Sequence, residues 1–238
     1  MLARVLFWYC QTVLADVDIS EPASLIGDPT RAVFLMALSE GQSLPAGELA
    51  RRAGVTASTA SIQLAKLVGG GLLTVEQQGR HRYYSLADPA IAAAIESLAV
   101  IAPRRPASSL RQARIGSDLQ AARTCYDHLA GALGVGLFDA LLQEGVLTPG
   151  LQATRKGSRR LGDLGVDVEE AAEGRRAFAR RCLDWSERRH HLAGALGAAI
   201  ATRLFELGWI ERTPSSRAVR VTAAGRTGLA RELAVRLG

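Results

Sequence analysis

Three cysteines, Cys10, Cys125 and Cys182, are all that a chain of 238 residues contains. That is too few for a disulfide framework, so the thiols read as the reduced thiols of a cytoplasmic protein. No apolar run is long enough to cross a bilayer. The stretch Val5-Leu6-Phe7-Trp8-Tyr9-Cys10 behind Arg4 imitates a signal peptide but is too short to be a span. Residues 1–19 therefore read as an N-terminal extension. It is either a helix that packs on a partner subunit or the result of a start codon assigned too early, with export the lesser alternative. A Gly-rich phosphate loop and a nucleophile elbow are both missing. A Cys/His pair alone supplies neither an oxyanion site nor a substrate pocket, so an enzyme is not expected. Sequence-close metal spacings of the CxxC or HxxxH type are missing too.

What is present suits a packed protein with a polyanionic partner. Hydrophobic residues make up 48% of the chain, enough to exclude disorder. Twenty-nine basic residues against 23 acidic ones leave a net charge of +6, a mild bias toward nucleic acid.

The first recognisable module starts near Ile26. Gly27-Asp28-Pro29-Thr30 turns into a helix over Arg31–Ser39, with Val33, Phe34, Ala37 and Leu38 predicted to share the inner face. Gly41 to Pro45 breaks it. A second helix is predicted over Ala46–Ala53 and stops at Gly54. A third opens at Val55-Thr56, capped by Thr56 or Ser58. It carries Ile62, Leu64 and Leu67 inward and ends at Gly69-Gly70-Gly71. Two helices joined by a short glycine turn make a helix-turn-helix. The outer face of the second holds Thr56, Ser58, Thr59, Ser61, Gln63 and Lys66, short polar side chains that let a helix sit deep in a major groove. Leu72 to Glu76 and His81 to Leu86 then alternate as a hairpin with Arg80, His81 and Arg82 at its tip. That is a wing suited to phosphate or minor-groove contact. A further helix, about Ala90 to Ile101, bears the apolar stripe Ile91, Ala94, Ile95 and Leu98. A module this small does not need that stripe for its own core, so a dimer interface accounts for it.

Gly27-Asp28-Pro29-Thr30-Arg31, Glu48 to Thr56, Ser61 to Leu67 and Gly79 to Tyr84 follow one another in an order and spacing that resembles the ArsR/SmtB winged-helix regulators. The resemblance covers residues 20–102 and implies a homodimeric repressor on a palindromic duplex operator, released by an effector. Gln63 departs from the pattern, since relatives usually carry histidine there. The sensor sites common in the family are absent from this module. Pro45 to Ala50 holds no cysteine, the helix after the wing offers only Asp88 and Glu96 without histidine, and the recognition helix has no thiol.

Residues 103–118, with Pro103, Arg104, Arg105 and Pro106, read as a linker. Beyond it lies a repeat. His128-Leu129-Ala130-Gly131-Ala132-Leu133-Gly134 recurs 63 residues later as His191-Leu192-Ala193-Gly194-Ala195-Leu196-Gly197, and Thr154 and Gly157 return as Thr222 and Gly225. Residues 119–238 are thus expected to form two degenerate winged-helix-like halves, each helix, hairpin, helix. The fold class is mainly α with small β-hairpins: an N-terminal winged helix-turn-helix and an internally duplicated C-terminal domain.

Reactive residues gather at the head of each half. Cys125 and His128 stand before one; Cys182, Asp184, His190 and His191 stand before the other. If the halves pack about a pseudo-twofold axis, the clusters meet and suit a soft or borderline ion such as cadmium, lead or zinc. Near Arg123, Arg180 and Arg181 the same thiols also suit redox sensing. A plain packing role is open as well, with buried cysteines, carboxylates capping helices and histidines bonded to backbone. A pocket for an organic ligand lined by Tyr126, Phe138, Trp185 and Trp209 is a further alternative.

Overall fold

The computed structural model describes residues 17–235 apart from 40, 104, 105, 108 and 215. The extension up to residue 16, with Cys10, and the Arg104-Arg105 pair of the linker lie outside the described residues. The chain divides into two compact units that meet in sequence between Ile91 and Ala92.

The first unit begins with α1 (Ser20–Ile26) and α2 (Pro29–Leu38). Asp28 caps α2 by accepting from the amides of Thr30 and Arg31, and Pro29 opens it, where a missing amide costs nothing. A short strand β1 (Leu44–Pro45) leads into α3 (Ala46–Ala53) and then α4 (Ala57–Gly69), whose cap Thr56 accepts from the Thr59 amide. The hairpin β2 (Leu73–Gln78) and β3 (His81–Leu86) pairs Leu73 with Leu86 and Gln78 with His81, and β1 adds to the outer side of β3. Phe34, Leu35, Leu49, Leu64, Leu67 and Leu73 form the core.

Two inward assignments are corrected. Leu35 is buried while Val33 faces outward, and Ile62 is 59% exposed. Helix phase explains the second: Ala60, Leu64 and Leu67 define the buried stripe of α4, and Ile62 lies roughly 200° around the helix from Ala60 at about 100° per residue.

The second unit takes in Ala92 onward and so includes most of α5 (Pro89–Ile101). Ile95 turns into the chain's own packing, whereas Ala94, Leu98 and Ile101 stay exposed. The stretch expected as linker is helical over α6 (Leu110–Ala121), started by Ser109 accepting from the Gln112 amide. The duplicated region then runs twice through one pattern. In the first half, β4 (Arg123–Cys125) and β5 (His128–Ala130) lead to α7 (Gly131–Gln143), a Leu147–Ala153 bridge and α8 (Arg155–Leu164). The short α9 (Val168–Glu173) follows. In the second half, β6 (Arg180–Leu183) and β7 (His190–Ala193) lead to α10 (Ala195–Glu206), the hairpin β8 (Ile210–Arg212) and β9 (Val219–Val221), and α11 (Ala223–Leu233). One core serves both halves, with Leu133, Leu137 and Leu161 packed together with Leu196, Ile200 and Leu229.

Each His-Leu-Ala of the repeat therefore lies in a strand, not in a helix, and leading hairpins with strands of three or four residues carry too little periodicity to show in the sequence. The matched Thr and Gly are explained: Thr154 and Thr222 cap α8 and α11 by accepting from the amides of Gly157 and Gly225. The repeat's last glycine has a steric reason. A Cβ at Gly197 would stand 2.6 Å from the Leu192 carbonyl oxygen and 3.4 Å from the Cβ of His128 in the other half. One at Gly134 would press closer still on the Leu129 carbonyl, 3.5 Å from the Cβ of His191. Each half leaves room for the other's histidine. Gly134→Ala and Gly197→Ala should each lower stability by about 1–3 kcal/mol, as overpacking does. Urea unfolding measures it, and an unchanged midpoint in either variant would contradict the close packing.

Candidate nucleic-acid interface and metal centre

The helix-turn-helix presents most of its expected face. Thr56, Ser58, Ser61 and Lys66 are exposed and Thr59 is half-buried. Thr56 Oγ1 lies 2.9 Å from both Ser58 Oγ and Thr59 Oγ1, a hydroxyl cluster at the N-terminus of α4. Gln63 behaves differently. Its Oε1 accepts from Arg31 Nη1 at 2.7 Å, and Arg31, itself only 8% exposed, also donates to the carbonyls of Ser24 and Leu25. Gln63 thus ties α4 to the α1–α2 corner, and its carbonyl is engaged inside the module. Ile62 was missed as a surface residue and shares the outer face with Ser58, Ser61 and Lys66; the phase of the buried stripe was the signal that could have found it. Arg80, His81 and Arg82 are exposed at the wing tip, while Tyr84 anchors the hairpin in the core.

The second unit brings the two reactive clusters together. β4–β5 pairs Cys125 with His128 across the strands, and β6–β7 pairs Cys182 with His191 in the same way. Cross-strand partners stand side by side on one sheet face, so each hairpin offers one sulfur and one ring. The two hairpins face each other with Cys125 Sγ and Cys182 Sγ 4.0 Å apart and the Nε2 atoms of His128 and His191 3.2 Å apart. All four ligand atoms lie within 4.8 Å of one another.

Two expected members fall outside this group. His190 neighbours His191 in β7 and points to the exposed side, as strand alternation requires. Asp184 stands behind His191, with Oδ2 3.3 Å from Nδ1. The same oxygen accepts from the Gly131 amide at 2.7 Å and from Arg123 Nη2 at 3.0 Å, while Oδ1 takes Ser186 and the Glu187 amide. On the other side Asp127 Oδ1 lies 3.2 Å from His128 Nδ1, while its Oδ2 accepts from Arg176 Nη1 at 2.6 Å. Each ring therefore has a carboxylate at Nδ1 and turns Nε2 to the centre, the orientation that outer carboxylates impose on metal-binding histidines.

Electrostatics favour one thiolate in this group. The Cys125 S–H donating to it, and the two histidines beside it, outweigh burial and hold the Cys182 thiol well below its ordinary value. Cys125 is pushed up by that same bond and by its burial. Burial opposes charge on His191, but Asp184 and the Cys182 sulfur overcome it and raise the ring. Burial opposes charge on Asp184 too, and is outweighed by His191, Arg123, Ser186 and the Gly131 amide.

The donor set fits a tetrahedral ion. Metal–sulfur and metal–nitrogen distances of about 2.3 and 2.0–2.1 Å give ligand edges of roughly 3.8 Å between sulfurs and 3.3 Å between nitrogens, close to the separations found. Two of the arginines expected beside the thiols serve elsewhere: Arg123 is spent on Asp184, and Arg181 reaches the Pro149 carbonyl. Three of the aromatic residues considered for an organic pocket are engaged in packing. Phe138 is in the core, Trp209 packs on Gly225 and Gly228, and Trp185 lies under the Arg123 guanidinium.

A helix-turn-helix with a hydroxyl-bearing second helix and a basic hairpin behind it defines a winged-helix DNA-binding protein. Residues 26–76 match a family described as a helix-turn-helix domain. The chain is 44% identical over 223 residues to YdfF of Bacillus subtilis, an uncharacterised HTH-type transcriptional regulator, covering 92% of this chain and 99% of that one. It is also 41% identical over 73 residues to the HTH-type transcriptional regulator CmtR of Mycobacterium bovis, or 31% of this chain and 61% of CmtR. The NMR structure of the cadmium metal-sensor CmtR from Mycobacterium tuberculosis is similar at 31% identity and a TM-score of 0.31, over 39% of this chain and all of that one. The chain belongs to the HTH-type transcriptional regulators. No helix among the described residues is long and apolar enough to cross a membrane.

Replacing Arg80 and Arg82 together by Ala should weaken DNA binding at every sequence. It should also reduce the slope of log K against log salt by about 2, since each phosphate contact contributes about 0.9. Anisotropy titrations between 50 and 200 mM salt test this, and an unchanged slope removes the wing from the interface.

Proposed function

We propose that the protein is a homodimeric repressor that leaves its operator when a thiophilic divalent ion occupies Cys125, His128, Cys182 and His191. The observation that carries the reading is the convergence of four buried or half-buried ligand atoms from two separate hairpins. In this reading residues 20–102 bind duplex DNA and dimerise, and residues 119–238 sense the effector in the cytoplasm. The α4 hydroxyls with Lys66 lie along the major groove, and Arg80, His81 and Arg82 reach the backbone beside it. Exposed Leu98 and Ile101 on α5, with Leu110 and Ile115 on α6, support a second copy of the chain as partner. CmtR, a cadmium sensor by its description, lends support to metal control. Two thiolates and two imidazoles in a tetrahedron suit zinc and cadmium better than lead.

A second reading rests on the 4.0 Å between the sulfurs. Peroxide could take two electrons and two protons from the pair, forming an S–S bond of about 2.05 Å and two waters, and so convert the same site into a redox switch.

Anaerobic titration of the full chain with Co(II) separates these readings. Metal sensing predicts one ion per chain with sulfur-to-metal charge-transfer absorption, lost in Cys125→Ser and Cys182→Ser. It also predicts that Zn(II) or Cd(II) releases the protein from DNA upstream of its own gene. Release by peroxide alone, with no Co(II) absorption, would replace the metal by the disulfide. Binding to that DNA that ignores metal and peroxide would reduce the four residues to core packing.

A further inference from the structure

Behind the four-residue centre a chain of buried charges continues past Asp184, beyond what support of His191 requires. Arg123 is 0% exposed. Its guanidinium stacks on Trp185, donates to the Leu119 carbonyl, to Ser186 and to Asp184, and stands 3.9 Å from Glu96. Glu96 is 2% exposed in the middle of α5, and its Oε1 accepts from Arg217, which precedes β9. Two carboxylates and two guanidinium groups thus run in one line from His191 to α5, and their charges cancel.

The line is incompletely bonded at three adjoining atoms. His191 Nδ1, Arg123 Nε and Glu96 Oε2 are all buried without a hydrogen-bond partner. His191 Nδ1 is close to Asp184 Oδ2 yet misaligned with it, and Glu96 Oε2 is just beyond reach of Arg123. Unmade bonds to buried charged groups are costly, so a partner exchange along the line has free energy to gain. Asp184 Oδ2 already serves the Gly131 amide and Arg123, which makes it the atom over which His191 and Arg123 compete.

We propose that this line, His191–Asp184–Arg123–Glu96, carries occupancy of the Cys2His2 centre to helix α5. This rests on the metal reading above. With Nε2 of His191 committed at the centre, its Nδ1–H is left to donate squarely to Asp184 Oδ2. Arg123 then loses part of its hold on Asp184 and turns to Glu96 Oε2, in competition with Arg217. Glu96 sits on the helix that begins at Pro89, three residues past the end of the wing hairpin at Leu86, so a shift of Glu96 acts on the segment that leaves the DNA-binding module. Arg123 and Glu96 are positioning residues in this scheme and touch neither metal nor DNA.

Glu96→Gln keeps the shape of the side chain and removes the charge over which the two arginines compete. The full-length variant should bind Co(II) within about threefold of wild type, and its metal-free form should bind the upstream DNA within about threefold. The ratio of DNA affinities without and with Zn(II), typically 5–150-fold for a coupled pair of sites, should fall by at least fivefold toward 1. Glu96→Gln/Arg217→Gln, which removes the pair without leaving an excess charge, should show the same loss and covers the case in which the single variant does not fold. A ratio equal to wild type in a folded variant overturns the line. Wild-type protein that binds no Co(II), or that binds Zn(II) without any change in DNA affinity, overturns the metal reading itself and the line with it. Those two results differ visibly from a coupled wild type with a coupled variant.

Discussion

The second unit is organised around one carboxylate. Asp184 belongs to the second half of the repeat, yet its Oδ2 accepts from the Gly131 amide at the start of α7 and from Arg123 in β4, both of the first half. A buried carboxylate cannot stand without such donors, and the donors it takes are the ones that dock the two hairpins face to face. Gly134 and Gly197 then allow each histidine to lie against the opposite helix. The four ligand atoms meet because that docking has one geometry, not because any short segment encodes a site.

The duplication gives this site its economy. Each half contributes one cross-strand Cys–His pair, and the two half-sites together make a Cys2His2 set. The outer carboxylates break the symmetry. Asp127 precedes its histidine directly and is held by exposed Arg176, whereas Asp184 reaches His191 from seven residues away and is held by buried Arg123. One face of the centre therefore opens toward solvent and the other connects to interior charge. The buried and interlocked neighbour is coupled to the interior charges with little screening by water, whereas the exposed one is not.

In the first unit the two roles of polar residues are divided by depth. Short hydroxyls at the exposed start of α4 are available to a groove, whereas Arg31 and Gln63 are turned inward to fix the corner from which α4 projects. A recognition helix must be held rigidly to place side chains on base edges, and an internal arginine with backbone carbonyls on one side and an amide on the other supplies that rigidity.

What the sequence by itself determined is local. Capping residues, glycine stops and the alternation of the wing located the helix-turn-helix to within a residue or two, because those signals act over one or two turns of chain. The repeated His-Leu-Ala-Gly-Ala-Leu-Gly likewise revealed the duplication and pointed to Cys125, His128, Cys182 and His191 as heads of equivalent segments. The tertiary structure decided the rest. It chose His191 over His190, moved Asp184 from ligand to support, turned Ile62 out and Gln63 in, and made a helix of Leu110–Ala121 where a linker was expected. Each of these depends on which face a strand or helix presents to a neighbour distant in sequence. That face is set by packing of the whole unit and the pairing of buried charges, which no local pattern records.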